Sequence, residues 1–307
     1  MRFNYASNLK FDFVKKARYF FIFSLIITVL GILALGIFGL NYGVDFRAGS
    51  SVDIAVNKDL TGQKGEIEKF LADNGLGSPQ MTVVPDRVTM RFPNILTTDQ
   101  ENTLKQGFAT NFDKDASAEV NTVDVEIAKE LQWNAIKAVL IASIGIVIYV
   151  SIRFEWRFAV AAIVALLHDA FIVISLFSIL RLEVDLPFIV AVLTIIGYSI
   201  NDTIVIFDRI RENLRFAKIK KPEDLDKLVN ASVGQTFTRS INTVLTVVLA
   251  AVCLLIFGSA SIKLFSLAIL FGLVSGAYSS IFIASPLWLF LKKKQNMKPA
   301  VKSQAAS

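Results

Sequence analysis

Asp202 stands inside a long apolar run, in the stretch Gly197–Asn213 (GYSINDTIVIFDRIREN). A carboxylate there is expensive: insertion scales put it at about +3 kcal/mol near the centre of a spanning helix. Such a residue faces a bundle interior, takes a partner and marks an ion or proton route. Helical spacing places Tyr198, Ser199, Asp202 and Val205 or Ile206 on one face. Entering from outside at Leu186, a rise of 1.5 Å per residue sets Asp202 about 24 Å deep. It is then nearer the cytoplasmic side than the midplane.

Arg239 is the natural partner. It opens the following span at the same boundary, with Asn242, Thr243 and Thr246 on the next turns. A guanidinium favours a charged carboxylate and desolvation opposes it. A site where the two effects nearly cancel, with water admitted from alternate sides, can bind and release a proton. The competing reading of Arg239 is a side chain that snorkels to the interface.

His168-Asp169 sits mid-span between Arg157 and Arg181, which puts Asp169 near the bilayer centre. It reads as a second relay station or as a hydrogen-bonded brace between helices. A metal site needs more ligands than the single histidine of this chain. Asp208-Arg209 and Arg211-Glu212 read as solvated interfacial charges. Gly272, Gly276 and Ala277 form a small-residue stripe of ordinary helix packing. No GxxxxGK[ST] run and no strand-based GxGxxG is present, so work must draw on an ion gradient or a partner.

These residues are positioned by a membrane protein. Of 307 residues 54% are hydrophobic, and the mean hydropathy is +0.56. The net charge of +6 collects at helix ends, which the positive-inside rule explains without nucleic acid. The lone Cys253 excludes an intrachain disulfide. Spans are expected at Tyr19–Leu40, Trp133–Ile152, Phe158–Leu180, Leu186–Phe207, Thr238–Phe257 and Leu264–Leu291. The first is too long for a signal-peptide core and has no A-x-A-like cleavage site, so it reads as an uncleaved span. Arg209–Asn230 reads as a basic, amphipathic connector.

Between the first two spans the chain turns polar and mixed in charge. Ser51–Val56 alternates like a strand, and Gly62–Asn74 reads as a helix with Thr61 as N-cap and Gly75 as stop. Met81–Val84 and Arg87–Phe92 are strands about a Pro85-Asp86 turn, Thr97–Gln100 opens a second helix to about Phe112, and Ala118–Val125 alternates again. The order β-α-β-β-α-β predicts a ferredoxin-like α+β sandwich. The expected organisation is a cytoplasmic N-terminus (1–18), a first transmembrane helix (19–41), a periplasmic domain (42–130), a five-helix bundle (131–292) and a cytoplasmic tail (293–307). The basic segments then all lie on one side.

The motifs NYGVDFRAGS, RFEWRF, LLHDA, GYSINDTIVIFDRIREN and QTFTRSINT resemble those of the SecF family, over about Asn41 to Leu291. That resemblance implies an RND-like half with six transmembrane helices, completed by a SecD-like six-helix subunit. It implies action with the SecYEG channel and the SecA motor on translocating polypeptides, in the bacterial inner membrane. The role would be a non-enzymatic, accessory one, using the proton-motive force in late steps of export, with no cofactor beyond the gradient. Sodium could serve in place of the proton. The family's proton-pathway aspartate falls on Asp202 and its fifth-span arginine on Arg239, while Asn201, Gln235 and Asn242 match polar positions nearby. One departure stands out. The usual DFTGG reads Asp45-Phe46-Arg47-Ala48-Gly49, losing a glycine where unusual backbone angles are expected.

Other readings make different forecasts. A small-molecule or lipid exporter needs a larger external cleft than one small domain offers. A membrane hydrolase needs Asp169 and Asp202 in contact as a dyad. A scaffold subunit would use the Asp202–Arg239 pair only to lock two helices.

Overall fold

A computed structural model describes residues 12–296; the extreme N-terminal part of the expected cytoplasmic segment and most of the tail lie outside the described residues. Helix α1 spans Phe13–Phe38. Asp12 caps it, its side chain accepting from the Lys15 N–H at 3.0 Å. The buried face of α1 carries Phe13, Ala17, Ser24, Gly31 and Ala34. Ala17, Ser24 and Gly31 recur every seventh residue, which keeps one narrow stripe turned inward.

The chain divides into two units. The globular one takes Tyr42–Lys137 with Val184–Leu186. It opens with the short helix α2 (Val44–Arg47), then β1 (Gly49–Ala55), α3 (Lys64–Asp73), β2 (Gln80–Val84), β3 (Arg87–Phe92), α4 (Thr98–Asn111) and β4 (Ser117–Val123). The antiparallel sheet runs β2-β3-β1-β4. That order is the ferredoxin-like one expected from β-α-β-β-α-β. Period-two alternation turns Val52 and Ile54 of β1 and Val88 and Met90 of β3 inward, against Ile67 and Leu71 of α3 and Leu104 and Phe108 of α4. Helix α4 starts with a full capping box: Thr97 accepts from the Gln100 N–H, and the Gln100 side chain accepts from the Thr97 N–H.

One local expectation changes. Thr61 does not cap α3. It sits in a 3-10 turn, Thr61–Gln63, with its hydroxyl and N–H bonded to the Asp59 carboxylate. The Thr61 hydroxyl is committed to Asp59 as a donor, so a turn precedes the helix, which begins at Lys64. At the lost glycine the unusual backbone angles expected there are kept. Ala48 takes φ 65° and ψ 154°, a conformation essentially reserved for glycine.

The other unit holds the long helices. The chain passes from α5 (Val125–Arg153) to α6 (Trp156–Ile179), α7 (Leu186–Phe216), α8 (Pro222–Phe257), α9 (Ala260–Ser279) and α10 (Ser285–Asn296). A π-helical segment at Ser280–Ala284 joins α9 to α10, so the two form one span. Among the described residues six helices are long and apolar enough to cross a membrane. Helix α1 packs on α6, α6 on α9, and α8 on α9. The segment read as a connector is helical at both ends: α7 continues to Phe216, and α8 begins at Pro222, in the N-terminal position proline favours. Leu225, Leu228, Val229 and Val233 bury its apolar side. Its polar side ties down neighbours, Asn230 donating to Asp12 at 2.7 Å and Asp226 pairing with Lys293 at 2.6 Å.

Candidate functional site

Helix α7 presents its polar face at mid-length. Ser199 is buried, Asp202 half-buried, and Asn201 and Tyr198 are exposed. Opposite stand α8 and α9. A narrow cleft opens between them, lined by Tyr198, Asn201, Asp202, Thr243, Gly272 and Gly276 among others. The two glycines make the approach of α9 possible. A Cβ on Gly276 would lie 3.3 Å from the Ser199 Cβ, and one on Gly272 would run into the Ile195 side chain. The small-residue stripe therefore does pack helices, and it does so beside Asp202.

The Asp202 carboxyl keeps one oxygen, Oδ2, enclosed with no hydrogen-bond partner. Ser240 and Arg239 are the groups of α8 that act on it. The Ser240 hydroxyl faces the carboxyl without closing a hydrogen bond. Arg239 is exposed on the surface of this chain and acts through its charge alone. A buried carboxylate oxygen left without a donor costs about 1–3 kcal/mol. No donor among the described residues reaches it, so a water in the cleft, a proton or a partner is what can satisfy it.

Asp169 stands in the opposite condition. It is 1% exposed and fully bonded. Ser199 of α7 donates to its Oδ2 at 2.5 Å, Ser279 of α9 to the same oxygen at 2.6 Å, and Ser275 of α9 to Oδ1 at 2.7 Å. His168 Nδ1 meets Oδ1 at 3.1 Å. The far nitrogen of the same ring, Nε2, lies 2.5 Å from Ser24 Oγ of α1. One carboxylate thus joins α6, α7 and α9, and its histidine extends the network to α1. Asp169 and Asp202 are not a dyad, since both Asp169 oxygens are taken up by Ser199, Ser275, Ser279 and His168. The order Ser24–His168–Asp169 is also that of a nucleophile-activating triad, but Ser24 is buried on the α1 stripe that packs toward α6.

The remaining candidates scatter. Gln235 accepts from Asn213 Nδ2 at 3.0 Å and so ties the end of α7 to α8, away from the carboxyls. Asn242 is exposed on α8. Asp208 pairs with Arg211 at 2.7 Å and Arg153 at 3.6 Å, and Arg209 with Glu212 at 2.8 Å, all at least partly exposed as expected of interfacial charges. Sequence reading missed Ser275 and Ser279. Their i, i+4 spacing on α9 puts both on one face, the only local sign of their shared role.

A chain of six apolar helices with a ferredoxin-like domain after the first, and polar residues gathered on α6, α7 and α8, defines a multi-pass membrane transport component. The family model described as "Protein export membrane protein SecD/SecF, C-terminal" matches residues 103–294, and "SecD/SecF GG Motif" matches residues 33–59. The chain belongs to the SecD/SecF family of protein export membrane proteins. It is 46% identical over 307 residues to protein translocase subunit SecF of Alicyclobacillus acidocaldarius, covering 97% of this chain and 98% of that one. It is 48% identical to protein translocase subunit SecDF of Bacillus subtilis, covering 94% of this chain but 39% of the relative. A crystal structure of SecDF from Thermus thermophilus, a translocon-associated membrane protein, superposes with a TM-score of 0.81 at 35% identity, again over 93% of this chain and 39% of that one. The chain is a Sec translocase subunit of the SecF/SecDF kind, a transport component rather than an enzyme.

Proposed function

We propose that the chain uses the proton-motive force to drive late steps of protein export across the bacterial cytoplasmic membrane, with Asp202 as the proton-carrying group and Arg239 as its charge partner. Both termini are cytoplasmic in this reading, and residues 42–130 are periplasmic. The observation that carries it is the enclosed, unbonded Oδ2 of Asp202 at the wall of a cleft, with a guanidinium acting on the carboxyl from the next helix. A proton would satisfy that oxygen's surroundings in one state, and Arg239 would support the anion in the other. One charge crossing 100 mV supplies about 2.3 kcal/mol, enough to bias a conformational cycle.

A second membrane subunit of the SecD type is part of the proposal, with SecYEG, SecA and a translocating polypeptide beyond it. Arg239, Asn242 and Thr243 of α8 and Asn201 of α7 are exposed on this chain. Lipid offers them no hydrogen bonds, so protein or water must cover them. Relatives named SecDF, of which this chain covers 39%, fit a two-half arrangement.

The test is Asp202→Asn in the full chain, expressed with its export machinery. The protein should fold and assemble, while the gradient-dependent part of export is lost. Export that still responds to the gradient as in the parent would overturn the reading.

A further inference from the structure

Three serine hydroxyls and the Nδ1 of His168 converge on the Asp169 carboxyl. With the hydroxyls turned to the carboxyl, the imidazole of His168 is the group of the cluster through which a proton can be exchanged. The imidazole is set up for it. With Nδ1–H directed at Asp169, neutral Nε2 accepts from the Ser24 hydroxyl at 2.5 Å; a second proton on Nε2 reverses that bond and makes Ser24 the acceptor. No partner has to move apart for the ring to gain or lose charge.

The same cage reaches the cleft. Ser199, bonded to Asp169, lines the cleft with Asp202, one turn away on α7. The cleft is large enough to admit a water beside the two side chains. We propose that His168, clamped between Ser24 and the Asp169 carboxyl, is a second proton-exchange site of the membrane unit, linked to Asp202 through Ser199. The linkage rests on Asp202 being the proton-carrying group. The titratable groups facing His168 are Asp169 on its own helix, Tyr278 of α9, whose ring lies 6.2 Å away with its hydroxyl bonded to the Phe20 carbonyl, and Asp202 of α7 beyond Ser199. From α1 comes the Ser24 hydroxyl.

The chain has one histidine, so the ring can be followed without assignment. The full chain carrying 15N-labelled imidazole, in lipid nanodiscs, is titrated by NMR between about pH 4 and pH 9. His168 should titrate, and its midpoint should fall by about one pH unit in Asp202→Asn, because removal of a nearby negative charge disfavours the imidazolium. A ring that does not titrate, or one with the same midpoint in Asp202→Asn, overturns the proposal. His168→Gln gives an independent arm, since its amide can still bridge Ser24 and Asp169. Gradient-dependent export should be lost, and unaltered export would also overturn the proposal. If the midpoint shifts while Asp202→Asn exports normally, the energy-coupling role of Asp202 fails and the linked pair stands. If Asp202→Asn abolishes coupling with no midpoint shift, the second site alone is wrong.

Discussion

Ser199 donates its hydroxyl to Asp169 Oδ2 at 2.5 Å, and one turn further along the same helix Asp202 keeps an oxygen enclosed without a donor. Helix α7 therefore stands between one carboxylate whose bonding is complete and one whose bonding is not. The complete one locks helices together. Under the proposed function the incomplete one is where a proton is taken up, since no donor among the described residues meets that oxygen.

The pairing of Asp202 with Arg239 can be separated from a mere helix lock by exchanging the charges. Asp202→Arg combined with Arg239→Asp restores the attraction between α7 and α8. A bracing pair would regain export relative to either single change. A proton-carrying pair should stay inactive, because the carboxyl now sits at the exposed position. Translocation assays with and without an uncoupler distinguish the two.

Removing the Asp169 side chain should be costly for a different reason. Asp169→Ala strands the buried Ser199 and Ser275 hydroxyls and takes one partner each from Ser279 and His168. Single hydrogen bonds between membrane helices average about 0.6 kcal/mol, but stranded polar groups add their own penalty, so a loss of about 2–4 kcal/mol is expected. Denaturation of the purified full chain in detergent measures it. Asp169→Asn keeps part of the network and should lose less.

Ala48 offers a gain of stability. Its φ of 65° with ψ of 154° is strained for any residue with a Cβ. Its methyl also packs against Val123 and Ala128, which offsets part of the gain. Ala48→Gly should stabilise the globular unit by about 0.5–1 kcal/mol net. Slower amide hydrogen exchange across Gly49–Ala55 and Ser117–Val123 would register it; faster exchange would show that the methyl matters more than the strain.

Asp113 sets an acid limit on the globular unit. Its carboxylate is buried and accepts from the N–H groups of Asn57 at 2.6 Å, Asp115 at 3.1 Å and Lys58 at 3.2 Å. The Asn57 and Asp115 bonds hold its pKa below the ordinary 3.8. A carboxyl whose folded pKa is depressed contributes stability that is present above the unfolded value and lost as pH falls through the folded one. Thermal unfolding should therefore show stability falling as pH drops below about 3.8, and Asp113→Asn should remove that part of the dependence.

The six spans and the ferredoxin-like order were legible because each rests on local periodicity. Apolar runs of about 20 residues announce spans, and alternating residues between turn signals announce strands. Asp202 was legible for the same reason, one charge against an apolar background. The helical ends of the cytoplasmic connector were not, because charged residues there hid the amphipathic set Leu225, Leu228, Val229 and Val233. Thr61 misled because a nearby carboxylate outcompeted the helix for its hydroxyl.

By itself the sequence determined the class of the protein, the order of its elements and the identity of its most exposed electrostatic problem, Asp202. Those depend on solvation and hydrogen-bond geometry within about one or two turns of chain. Tertiary structure decided which carboxylate is satisfied. Ser24, Ser199, Ser275 and Ser279 are ordinary residues for spanning helices, and they reach His168 and Asp169 across separations of 144, 30, 106 and 110 residues. Only the packing of α1, α6, α7 and α9 brings their short hydroxyls within 2.5–2.7 Å of those two side chains, a distance over which hydrogen bonding acts and which no pattern along the chain records.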